Sequence, residues 1–145
     1  MGAGIDPGDA QELAEELRLA VSRLVRQTRA RADELPRARA ETLARLEAEG
    51  GQTIAQLAEH RGVRHQAMSR GVAELEALGL VAREPDPADA RASLIRLSDA
   101  GREALTRGRA ARRDLLASAI AERLDDEELA LLRRVPALLA RLSPT

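Results

Sequence analysis

Apolar side chains recur every three or four positions at Leu13, Leu17, Ala20, Val21, Leu24, Val25 and Thr28, which predicts a helix from Asp9 to about Ala32. Asp9, with Glu12 three residues on, has the composition of a helix cap. Arg18, Arg23, Arg26 and Arg29 take the other faces. Leu35-Pro36 opens a second helix, because proline is tolerated at a first helical position. Its stripe is Thr42, Leu43 and Leu46, and Gly50-Gly51 stops it after about Glu49. Thr53 to Gln56 has capping-box form and starts a short helix with Ile54, Leu57 and Ala58 inward. Gly62 ends that helix, and Val63 is expected to pack down at the turn. Another short helix runs from about His65 to Leu78, with Met68, Val72, Leu75 and Leu78 as its apolar face and Gly79 as a left-handed stop.

The period then changes. Leu80 to Arg83 reads as a strand, Pro85 to Asp89 as turn chemistry, and Ala92 to Leu97 as a returning strand with Leu94 and either Ile95 or Leu97 inward. These make a β-hairpin with a protruding tip. Ser98 or Asp99 caps a long helix to about Arg123, lined on one side by Leu105, Gly108, Ala111, Leu115 and Ala119. Asp125-Asp126 caps a last helical segment carrying Leu129, Leu132, Val135, Leu139 and Leu142, which Pro136 should kink or split. The fold class is mainly α with a small β-hairpin.

Composition sharpens this. The 145 residues suffice for one domain, but there is no Phe, Tyr or Trp, so Leu and Ala must build the core. With no cysteine, disulfides, cysteine-held metals and thiol redox sensing are excluded, and His60 and His65 alone do not suggest a metal site; no cofactor is expected. No apolar run is long enough to span a membrane, and Met1 to Ala10 lacks the basic and apolar regions of a secretory signal. A cytoplasmic protein is therefore expected. The net charge is −1, and every basic residue is Arg, which we attribute to GC-rich codon usage.

Two short helices joined across Gly62 and followed by a hairpin form a winged helix-turn-helix, whose second helix lies in the major groove of DNA. The face of that helix opposite its core stripe carries His65, Gln66, Ser69, Arg70 and Ala73. Gln66 and Arg70 are one turn apart; Gln can bond adenine twice and Arg can bond guanine twice. Ser69 and His65 can reach bases or phosphates, although a histidine at a helix start is equally an ordinary polar residue. At the tip, Arg91 can enter a minor groove, with Asp89 expected to pair with its guanidinium. Thr53 and the amides beside it are a phosphate site.

The runs Leu57-Ala58-Glu59, Gly62-Val63, Met68-Ser69-Arg70, Leu75 to Val81, Pro85-Asp86-Pro87, Asp89-x-Arg91 and Leu97 to Arg102 resemble the MarR family of bacterial regulators. The resemblance is tight over about Leu35 to Gly101. It implies a single domain over 1–145, with a winged helix-turn-helix at 35–97 flanked by dimerisation helices at 9–34 and 99–142. It also implies a homodimeric regulator, usually a repressor, that binds a pseudo-palindromic double-stranded operator and is often released by a small-molecule effector. An effector pocket of Leu, Val, Ala and Arg would suit an anionic apolar molecule such as an aromatic carboxylate. Three positions depart from the pattern. Arg64 stands where Ser or Thr usually caps the recognition helix, and offers a phosphate contact instead. Ala90 replaces a commonly basic residue, and Pro136 interrupts a usually continuous helix.

Charge counts against DNA binding. From Gly51 to Leu97, six Arg face six acids, so binding requires the arginines to be segregated onto one face. Arg102, Arg107, Arg109, Arg112 and Arg113 add positive charge along the next helix, either following the DNA backbone or merely facing solvent. The alternative function is a winged-helix adaptor that binds protein and has lost DNA binding. An enzyme is not suggested, since no nucleophile–base pattern or phosphate loop is present.

Overall fold

A computed structural model describes residues 6–89 and 91–143. In chain order the elements are α1 (Pro7–Ala32), α2 (Arg37–Glu49), α3 (Ile54–Arg61), α4 (His65–Ala77), β1 (Val81–Pro85), β2 (Ser93–Leu97), α5 (Asp99–Arg123), α6 (Asp126–Leu132) and α7 (Val135–Leu142). They fall into two compact units. One comprises residues 32–111; the other joins the chain up to Arg31 with the chain from Arg112. The expected mainly α fold with one hairpin is the fold observed.

The unit of residues 32–111 holds the core. Leu43 and Leu46 of α2, Leu57 and Ala58 of α3, and Met68, Val72 and Leu75 of α4 are buried together with Leu80, Val81, Ile95, Leu97 and Leu105. Local chemistry sets the boundaries. Pro36 is the N-cap of α2 rather than its first residue, and Gly50 closes that helix at φ 79°. Thr53 and Gln56 form the expected reciprocal capping box of α3. Gly62 ends α3 in the left-handed region at φ 61°, and Gly79 follows α4 at φ 71°; glycine takes both conformations without the Cβ clash that penalises other residues.

Strands β1 and β2 pair antiparallel from Val81↔Leu97 to Pro85↔Ser93. The two-residue period puts Ile95 and Leu97 on the same, buried face, so Leu94, expected inward, is only half-buried. A bridge not anticipated from the sequence adds Gln52 to the hairpin: its N–H donates to the Ile95 carbonyl at 3.1 Å and its carbonyl accepts from Ile95 N–H at 2.7 Å. Two other expectations fail at helix ends. Leu78 is the C-cap of α4 and is 53% exposed, because it has left the helical face that Val72 and Leu75 share. Val63 is 38% exposed and lines a shallow groove with Pro36, Ala67 and Gly71.

The start of α5 is fixed by Ser98. Its hydroxyl accepts from Gly101 N–H at 3.0 Å and donates to the Gly79 carbonyl at 2.6 Å, so one side chain caps α5 and fastens it to the turn after α4.

In the second unit, α1 is capped by Asp6 rather than Asp9. The Asp6 carboxylate accepts from Gly8 N–H at 3.0 Å and its carbonyl from Ala10 N–H at 2.9 Å, with Pro7 in the first turn. Asp125 and Glu128 form a capping box for α6. The expected split occurs between α6 and α7, with Pro136 in the first turn of α7, where its missing N–H costs no helical bond. No residue of α1, α6 or α7 is buried among the described residues. No helix among them is long and apolar enough to cross a membrane.

Candidate nucleic-acid interface

Helix α3 packs against α4, α4 against β1 and β1 against β2, so helix, turn, helix and hairpin form one body. Burial of Met68, Val72 and Leu75 turns His65, Gln66 and Arg70 outward, all exposed, while Ser69 is half-buried beside them. Gln66 and Arg70 sit one turn apart, the spacing for reading neighbouring bases.

Thr53 lies at the N-terminus of α3. Its hydroxyl accepts from Gln56 N–H at 3.2 Å, and the Gln56 side chain accepts from Thr53 N–H at 2.9 Å. The amides of Ile54 and Ala55 have no intrahelical acceptor by helix geometry and remain for a phosphate. Arg64 is the N-cap of α4, extended at φ −67° and ψ 145°, and makes no side-chain cap bond, as its departure from Ser or Thr implies.

The wing corrects one expectation. The Asp89 carboxylate does not hold the Arg91 guanidinium; it accepts from the Arg91 backbone N–H at 2.9 Å. Asp86 does the same for Ala88 N–H at 2.9 Å. A short side chain reaches an amide two residues on more readily than a mobile guanidinium. Arg91 is exposed and has no ion pair among the described residues. Ala90 lies outside the described residues.

Ion pairing answers the charge objection. Arg39 pairs with Glu74 at 2.5 Å, Arg83 with Glu76 at 2.8 Å, Arg96 with Glu84 at 2.5 Å and Arg61 with Glu41 at 3.7 Å. Arg37 and Arg45 pair along α2 with Glu41 and Glu49. On α5, Arg102 and Arg107 pair with Asp99 and Glu103, and Arg109 with Glu47 of α2. Among the described residues of this unit, the arginines left without a carboxylate partner are Arg64, Arg70 and Arg91. They are the three that the sequence places at the start of the recognition helix, on its outer face and at the wing. Of the acids between Gly51 and Leu97, Glu59 is exposed on α3 and has no ion-pair partner among the described residues.

The partners that produce this segregation were not readable from spacing. Arg39 and Glu74 are 35 residues apart, and Gln52 reaches Ile95 through a loop. Only the fold brings them together.

Known proteins share this sequence pattern and fold. A sequence model of the MarR family matches residues 33–92. An HTH-type transcriptional regulator of Mycobacterium tuberculosis is 37% identical over 132 residues, covering 90% of this chain and 92% of its own. A solved transcriptional regulator of Pseudomonas aeruginosa superposes with a TM-score of 0.77 at 33% identity, covering 94% of this chain and 97% of its own. A MepR variant of S. aureus, solved bound to an oligodeoxyribonucleotide, shares the fold with a TM-score of 0.66 at 19% identity, covering 90% of this chain and 98% of its own.

Proposed function

This chain belongs to the MarR family of transcriptional regulators, and from that premise we propose that it acts in the cytoplasm as a homodimer that binds a pseudo-palindromic operator in double-stranded DNA and represses transcription there. The observation that carries the reading is that Arg64, Arg70 and Arg91 have no carboxylate partner among the described residues, against the pairing of the other arginines around them. Unpaired guanidiniums bind phosphate or guanine without first breaking an ion pair. The same pairing accounts for the neutral charge count that motivated the adaptor alternative.

In this reading α4 enters the major groove, Arg70 bonds guanine and Gln66 adenine, and Arg91 enters the flanking minor groove. Thr53 with the first amides of α3, Arg64, His65 and Ser69 fix the register through phosphates. Asp89 orders the wing backbone. Two subunits set their recognition helices about one DNA turn apart, roughly 34 Å.

The test is anisotropy of labelled DNA from upstream of the protein's own gene, with wild type, Arg70→Ala and Arg91→Ala across a salt series. Tight binding that both substitutions weaken is expected, with Arg70→Ala costing about 1–3 kcal/mol and relaxing specificity at one base position. Weak binding unchanged by either substitution, on that DNA and on fragments from a random-sequence pool, overturns the reading. Effector release is read in the same assay as a loss of anisotropy on adding an aromatic carboxylate such as benzoate.

A further inference from the structure

Glu74 lies one turn beyond Arg70 on α4, at the spacing where a helical arginine and glutamate ordinarily pair. It does not pair with Arg70. Its carboxylate is instead bound by Arg39 of α2, Nη2 to Oε2 at 2.5 Å, with the two side chains 31% and 47% exposed. Arg39 is 35 residues away in sequence, and α2 carries it to the flank of α4. Arg70 is left exposed, with no ion pair among the described residues. Glu76, two residues on, is likewise held from outside its helix, by Arg83 of β1 at 2.8 Å.

We propose that Arg39 is a positioning residue for DNA recognition: by capturing the Glu74 carboxylate it keeps Arg70 free to contact a base. The idea rests on the DNA-binding reading above. Without Arg39, Glu74 has Arg70 as its nearest cation along the helix, and the pair would have to break each time DNA binds. The cost is electrostatic, so it shrinks as salt rises.

The test uses the full chain and a duplex selected by the wild type from a random-sequence pool. Arg39→Gln is expected to lower affinity roughly two- to fivefold at low salt, the range an exposed helical ion pair supports. Glu74→Gln alone is expected to bind at least as tightly as wild type, and Arg39→Gln/Glu74→Gln to return to the wild-type value. Arg39→Lys, which keeps the cation, should bind like wild type. In an Arg70→Ala background Arg39→Gln should add no further loss. Melting curves establish that each variant is folded.

If Arg39 contacted phosphate itself, the double variant would stay weak and the salt slope would fall by about one contact. If it merely braced α2 against α4, the single and double variants would lose affinity and melting temperature together. Either result, or additive losses in the Arg70→Ala background, overturns this inference while leaving wild-type binding intact. Failure of the wild type to select any duplex overturns the DNA-binding reading and this inference with it.

Discussion

At Gly101 there is no room for a methyl group. A Cβ built there would lie 2.2 Å from the Leu80 carbonyl oxygen and 2.6 Å from Leu97 Cδ1. That carbonyl also accepts from Ser98 N–H at 3.1 Å, so the backbone cannot retreat without losing the bond. Gly101→Ala should therefore destabilise the chain by about 1–3 kcal/mol, measured by urea denaturation, despite alanine's better helix propensity. Arg64 presents the opposite balance. It sits where Ser or Thr would cap α4 and makes no cap bond, and its positive charge lies at the positive end of the helix dipole. Arg64→Ser should raise stability by about 1 kcal/mol in the same assay. On the DNA-binding reading it should also weaken binding evenly across sequences and lower the salt slope by about one, as loss of a phosphate contact does.

Between elements, ion pairs join what the core packs. Arg109 of α5 pairs with Glu47 of α2, and its hydrogen bond is the main reason the Glu47 carboxyl is held below the usual carboxylate range. A depressed acid supplies stability that is complete above its unfolded value and is lost as pH falls through its folded one. Both side chains are well exposed, so the contribution at neutral pH should be no more than about 1 kcal/mol. Glu47→Gln should leave the acid side of the stability–pH curve shallower, by thermal melts between neutral and acidic pH. Features of this kind divide what the sequence discloses from what it does not. The Thr53 capping box, the glycine stop at Gly62 and the break near Pro136 were legible because each depends on neighbours a few residues away. The outward face of α4 was legible because Met68, Val72 and Leu75 fix the inward one. The partner of Asp89 is not legible, because a carboxylate beside an arginine has two donors to choose from, and only the folded turn selects the amide. The exposure of Leu78 is not legible either, because the helical period continues past the residue where the helix ends.

For the whole molecule, the uneven burial is the strongest argument for a second copy. The unit of residues 32–111 has a closed apolar core, whereas α1, α6 and α7 contain no buried residue among those described. Leu13 is 56% exposed, Leu24 49%, Leu131 64% and Leu142 70%. The charged residues of α1 do not interrupt its stripe, since Leu17, Val21, Leu24 and Val25 share a face at helical spacing. Apolar surface of this extent, on helices with no core of their own, is expected to be covered by another subunit. If a dimer supplies that cover, folding and association are coupled and the melting temperature should rise with protein concentration. Leu24→Arg should remove that dependence and shift sedimentation from dimer to monomer. The separate core of residues 32–111 should keep its own cooperative transition in that variant. On a two-half-site operator Leu24→Arg should bind far more weakly than wild type, because each winged helix then engages its half-site alone, without the gain in effective concentration that linkage provides. Sedimentation of a wild-type monomer with a concentration-independent melting temperature would show that these leucines are covered in some other way.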